Sequence, residues 1–202
     1  MARHSKPKFS QGRPAPTKTT KKTFLIFCEG EKTEPDYFRA FRIRADVRKY
    51  RVEGTGFNTE SLVRDVIEQI ESGYYGEYDE VWCVFDKDSF KPNQFNTAIQ
   101  MALSNKMKAA YSNEAFELWY LLHFEYCESG LNRATYKKRL TKYFGKEYKK
   151  NDPKMYETLL PNQATAIRNA KRLAQMHISN SPADHNPVTL VYQLVESLNS
   201  PE

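Results

Sequence analysis

The chain has 202 residues, enough for one well-buried domain with an appendage and short for two full ones. Its formal charge of +6 is uneven: Arg3, Lys6, Lys8, Arg13, Lys18, Lys21 and Lys22 put seven cations and no acid in residues 1–22, and subtracting them leaves −1 for residues 23–202. That balance excludes a domain that holds polyanions by its overall charge, and no apolar run approaches the ~18 residues of a spanning helix or forms a secretory h-region, so a soluble, cytoplasmic protein without a membrane partner is expected.

Residues 1–22, with Pro7, Pro14 and Pro16 among Lys, Thr, Ser and Gln, cannot bury enough apolar surface to offset the entropy of ordering. A disordered basic arm is therefore expected, followed by a single domain over 23–202 with its core in about 23–126 and a helical addition over about 127–202. Thr23–Cys28 is a continuous run of aromatic and β-branched residues that stops at Glu29-Gly30-Glu31, which predicts a strand buried on both faces and a tight turn. Thr33 and Pro35 open a helix carrying Tyr37, Phe38, Phe41 and Ala45 at helical spacing.

The pattern recurs as a short strand at Tyr50–Glu53, a Gly54-Thr55-Gly56 loop and a helix from about Ser61 carrying Leu62, Val63, Val66, Ile67 and Ile70. A third unit follows: Glu80–Phe85 reads as another buried strand, it ends in Asp86-Lys87-Asp88, and a helix covers about Asn93 to Ser104. Lys108–Tyr111 reads as a fourth short strand. Beyond Asn113 the sequence predicts helices alone, at Glu114–Tyr126, about Asn132–Phe144, Ala164–Met176 and Pro187–Leu198. Strands alternating with helices define an α/β class with a mainly parallel sheet flanked by helices, because right-handed crossovers place them on both faces, and with a helical C-terminal half.

In an open parallel sheet ligands bind beyond the carboxyl ends of the strands. Glu29 follows the first strand, and Asp86 and Asp88 follow the third. The period of two along an extended chain sends both aspartates to one side, and Gly30 removes a side chain that would crowd Glu29. Three carboxylates brought together raise one another's proton affinity unless a cation sits among them, and a hard ion such as Mg²⁺ or Mn²⁺ suits such a set. The alternative is that these acids only solvate the loop ends. No twelve-residue calcium loop is present. Cys28, Cys83 and Cys127 are odd in number, far apart and in apolar settings, which fits buried hydrophobes in a reducing cytosol better than disulfides or zinc ligands.

The run Cys28-Glu29-Gly30-Glu31-Lys32-Thr33-Glu34-Pro35 with Tyr37-Phe38 resembles the opening signature of RloB-like proteins. Val84-Phe85-Asp86-Lys87-Asp88 resembles their second motif, and Ser112-Asn113 with Phe116-Glu117-Leu118-Trp119 and Leu121-Leu122-His123-Phe124 their third. Asn186-Pro187 with Val191 and Leu194-Val195 resembles the closing helix, so the likeness spans about residues 23 to 198. Glu114 departs from the pattern, which favours proline at the first helical position.

The resemblance implies a Toprim-like core in which Asp86 and Asp88 hold Mg²⁺, or Mn²⁺, while Glu29 shares the metal or acts as general acid/base on a phosphodiester. It implies a nuclease acting on RNA, tRNA among the options, or on DNA. The setting it implies is a phage-defence system beside an AAA-type or ABC-like ATPase. A non-catalytic sensor or partner-binding subunit of such a complex is the alternative.

Of four further features, three keep two readings each and His123 keeps one. Glu117 is four residues after Asn113, a natural N-cap, and either favours the positive helix end or joins the catalytic acids. His123 is six residues from Glu117, out of register for a shared metal at i, i+4. The stretch Arg133–Lys150, which includes Lys138 and Lys142 and interleaves Tyr136, Tyr143, Phe144 and Tyr148, is either a nucleic-acid contact or a solvated helix face with its aromatics turned inward. Lys32 and Lys87, beside the acids, are placed to hold a scissile phosphate or to pair with those acids.

Overall fold

The computed structural model of the chain describes residues 22–41, 50–54, 59–88, 90–177 and 181–200. The expected arm lies outside the described residues apart from Lys22, and so do Ala45 and Thr55-Gly56 of the expected loop. In chain order the elements are β1 (Phe24–Cys28), α1 (Thr33–Arg39), β2 (Tyr50–Gly54), α2 (Thr59–Glu71), β3 (Glu80–Asp86), α3 (Pro92–Ser104) and β4 (Lys108–Asn113). They are followed by α4 (Glu117–Leu121), α5 (Arg133–Phe144), α6 (Met155–Leu159), α7 (Gln163–Met176), β5 (Val188–Thr189) and α8 (Val191–Asn199).

The sheet order is β2-β1-β3-β4-β5. The first four strands are parallel, and β5 runs antiparallel to β4. Side chains alternate across this sheet with the period of two that strands impose. Phe24, Ile26, Cys28, Trp82, Val84 and Ala110 face one layer, built mainly from α1, α4, α5, α7 and α8. Leu25, Phe27, Cys83, Phe85, Ala109 and Tyr111 face the other, where Leu62, Val63 and Val66 of α2 and Phe95, Ala98 and Ile99 of α3 cover them. Both faces are therefore dry, which is why the strands read as unbroken apolar runs. All three cysteines are buried and none forms a disulfide, as their apolar settings predict.

Connections from β1 lead to β2 on one side, and connections from β3 lead to β4 on the other. The chain thus reverses direction between β1 and β3, and the crevice at their carboxyl ends is where a parallel sheet admits ligands. The opposite end of β3 is closed by Glu80, a buried carboxylate. It accepts from Trp82 Nε1 at 2.9 Å and Ser197 Oγ at 3.0 Å, and pairs with Lys108 at 3.0 Å and Lys22 at 3.3 Å.

The C-terminal half is helical with one exception. Val188 and Thr189 form β5, pairing with Asn113 and Ser112, and the Ser112 and Thr189 hydroxyls meet at 2.9 Å. A two-residue strand leaves no periodic trace in sequence, so the expected helix from Pro187 begins at Val191 instead. The fourth strand runs on to Asn113, and the helix expected over Glu114–Tyr126 shrinks to the single turn of α4. Residues Ala115–His123 are all buried, so their apolar character reports enclosure by neighbours more than helical period. Among the described residues no helix is long and apolar enough to cross a membrane.

Candidate acidic active site

Glu29 is the first residue past β1, and its amide still donates to Val84 O at 2.9 Å, which holds it beside β3. Its carboxylate accepts from the Asp86 amide at 3.1 Å and lies 3.4 Å from Thr59 Oγ1 at the start of α2. Burial pushes its pKa up to about 7, against the pull of those two donors, and the nearby Glu34 and Asp88 charges push the same way.

Asp86 ends β3, and burial, then Glu34 and Glu117, raise its carboxyl well above the usual range. The chain is then strapped to the end of β4: Lys87 N–H donates to Ser112 O at 2.8 Å and Asp88 N–H to Glu114 O at 3.1 Å. Asp88 takes φ of 43°, the left-handed region that aspartate tolerates better than most residues. The two aspartates do face one cavity, but through this turn and not through strand alternation.

Arg133, the first residue of α5, places Nη2 3.4 Å from Asp86 Oδ2 and 3.2 Å from Asp88 Oδ2. With Lys32, Lys150 and Glu34 it lines the same cavity of ~540 Å³ as Glu29, Asp86 and Asp88. Glu34 is buried in the first turn of α1 and folds over Gly30, where any Cβ would collide with its carboxylate. The glycine therefore makes room for Glu34 and not, as the sequence suggests, for Glu29. Burial, with repulsion from Glu117, raises the Glu34 pKa.

Glu117 sits behind the cavity, buried, accepting from Tyr148 Oη at 3.3 Å and pairing with Lys150 at 3.5 Å. Asn113 does not cap a helix; it lies in β4 and its amide donates to Ala183 O at 3.2 Å and His185 O at 2.8 Å. Glu114 likewise precedes α4 by three residues, so the expected difference at a first helical position does not arise. His123 is buried away from the acids, with Nδ1 2.9 Å from Trp119 O, and burial lowers its pKa to about 4.

The structure therefore brings together Glu29, Asp86, Asp88 and Lys32, with Glu117 one layer behind. Lys87 turns its Nζ to Asp88 O at 3.4 Å and does not line the cavity. Lys138 and Lys142 lie exposed on α5 outside it. The aromatics of the basic stretch are structural: Tyr136 and Tyr148 are buried, and Tyr143 stacks on Phe124 at 4.9 Å and donates to Glu125 at 2.6 Å. Sequence reasoning missed Glu34, Arg133 and Lys150 as neighbours of the acids.

A family model described as RloB-like protein matches residues 24–198, nearly the whole described chain. The chain belongs to the RloB-like family. No curated protein matches it, and no solved structure does. In this RloB-like protein the donor set is all oxygen, and burial first, then repulsion among the acids, raises the carboxyls of Glu29, Glu34 and Asp86; an all-oxygen acidic set of this kind suits a hard divalent ion. Among the described residues no three acidic, histidine or cysteine side chains converge closely enough to hold a metal ion as they stand. The arginine between Asp86 and Asp88 fills the point they share, so ligation by both aspartates requires its guanidinium to give way.

Proposed function

We propose that this RloB-like protein is a Mg²⁺- or Mn²⁺-dependent nuclease that hydrolyses RNA or DNA phosphodiesters, serving in the prokaryotic cytoplasm as the effector of a phage-defence system with an AAA-type or ABC-like ATPase. The observation that carries the reading is one cavity at the crevice between β1 and β3, lined by Glu29, Asp86 and Asp88 together with Arg133 and Lys150. The acid after the first strand and the Asp-x-Asp after the third also resemble the Toprim pattern. Asp86, Asp88 and Glu29 would hold the ion, which when bound supplies Lewis acidity and a more acidic water.

The chain's own residues account for the rest. Glu29, with a pKa near neutrality, can take a proton from a nucleophile or return one to a leaving oxygen at physiological pH. Arg133, Lys150 and Lys32 offer cations on the cavity wall for the non-bridging oxygens of the phosphate. A second reading, a non-catalytic sensor or partner-binding subunit, is favoured by Arg133, whose one guanidinium already occupies the point that Asp86 and Asp88 share.

Glu29→Gln keeps size and hydrogen bonding but removes the charge needed for ligation or proton transfer, and Asp88→Asn does the same. Each should lower cleavage on the order of 10²-fold or more while leaving the fold intact. The assay should contain the ATPase partner and a panel of tRNA, single-stranded and duplex substrates, because an effector held inactive by its partner looks inert alone. Equal cleavage or toxicity from wild type and Glu29→Gln in that assembled system refutes catalysis here and leaves the binding-subunit reading.

A further inference from the structure

Arg133 and Lys150 do not only line the acidic cavity. Both also line a second groove of ~410 Å³ that opens beside it, whose walls include Lys137 of α5 and Lys149 of the following loop. From these contiguous cavities we infer that single-stranded nucleic acid reaches the acids along the Arg133–Lys137 face of α5, its backbone phosphates held by Lys137 and Lys149. The inference rests on the nuclease reading and assigns its substrate class and path.

Helical geometry separates this face from the rest of the basic stretch. At 3.6 residues per turn Lys137 lies about 40° from Arg133 around the α5 axis, while Lys138 and Lys142 are turned about 140° and 180° away. The visible run of cations is thus two sets of equal spacing in sequence, of which Arg133 and Lys137 line the groove beside the acids. Lys149 pairs with no acid among the described residues. Lys137 pairs with Glu147 at 3.3 Å, and both partners are more than half exposed, so this is a weak surface pair that a phosphate can displace.

The lining also says what is recognised. Among the described residues that line the groove the one aromatic ring, Tyr148, is buried and its hydroxyl is committed to Glu117, so these residues offer no open ring face to a base. Cations without a stacking surface contact the backbone and carry no sequence information. The groove's volume suits a nucleotide or two of one strand, whereas a duplex would have to lie across its mouth with its second strand outside.

The test is fluorescence anisotropy with the full chain in EDTA, which stops metal-dependent cleavage, using labelled strands of roughly a dozen thymidines or adenosines. Lys137→Gln/Lys149→Gln should weaken binding about 10-fold near 0.1 M salt, make the salt slope shallower by about 1.4, equivalent to two lost phosphate contacts, and do so equally for both strands. Lys138→Gln/Lys142→Gln should stay within about twofold. If the wild type binds and Lys138→Gln/Lys142→Gln loses as much as the groove pair, or the groove pair loses nothing, the path is wrong and the nuclease reading stands. If the wild type binds neither strand, or binds only a duplex of the same length, the path is wrong, and cleavage in the assembled system decides the nuclease reading separately.

Discussion

At the scale of single residues, Glu29 ties the site's chemistry to stability. Its folded-state pKa of about 7 stands above the ordinary 4.5, so the folded chain holds a proton that the unfolded chain has already released between those values. The stability this gives is complete below about 4.5 and is lost as pH rises through about 7; Asp86 and Glu34 are shifted in the same direction. In chelator, the thermal midpoint should therefore fall from pH 5 to pH 8, and Glu29→Gln should remove part of that slope, about 2 kcal/mol after allowance for solvent screening of a half-buried group. A slope identical in wild type and Glu29→Gln would show that the carboxyl titrates as it does in the unfolded chain. Gly30→Ala tests the neighbour: the clash is with the far end of the flexible Glu34 side chain, so stability should change by less than about 1 kcal/mol while Glu34 leaves the cavity and the pH slope shrinks. Glu29 and Asp86 were legible because they stand at the ends of buried strands, and Asp88 because it follows Asp86 two residues on. That Glu34 folds back over Gly30 was not, since spacing along a turn does not say which carboxylate occupies it.

Among the elements, α5 matters most because its first residue enters the acidic cavity. Asn132 caps it, its Oδ1 accepting from the Thr135 amide at 2.9 Å, and Gly145 closes it at φ of 64°. Asn132→Ala should cost about 1 kcal/mol in denaturant unfolding, and Gly145→Ala about the same, because the left-handed conformation penalises a Cβ. Of the two, only the N-terminal change should also disturb Arg133 and hence any cleavage the site performs. A loss of cleavage as large with Gly145→Ala would mean that α5 acts as a rigid whole. The bounds of α5 were readable from its Asn and Gly, whereas its role was not: Arg133 and Asp86 are 47 positions apart, and only the packing of α5 on the sheet brings them together. For β5 and α4 the limit is different, because two residues are too few to show a period and a fully enclosed segment has none to show.

Taken whole, the molecule places the helices that follow β4 in the same apolar layer as the strands. Leu194 of α8 and Trp119 of α4 share a cluster with Phe24 and Trp82. Leu194→Ala, at a fully buried position, should lower stability by about 2–5 kcal/mol, and unfolding should remain one transition when followed by both fluorescence and circular dichroism. Separate transitions would mark the helical half as an independent unit. The pairing of Lys22 with Glu80 has a consequence for reach. Thr23 and Glu29 stand at opposite poles of the sheet, and a strand rising ~3.3 Å per residue sets them roughly 20 Å apart. The root of the seven-cation segment is thus on the far side of the molecule from the acids. A cation of that segment which meets a ligand at the acids must therefore come round from the opposite pole, a distance that a chain rising ~3.3 Å per residue covers only with roughly six residues or more, so residues close to Lys22 are out of reach of the acids.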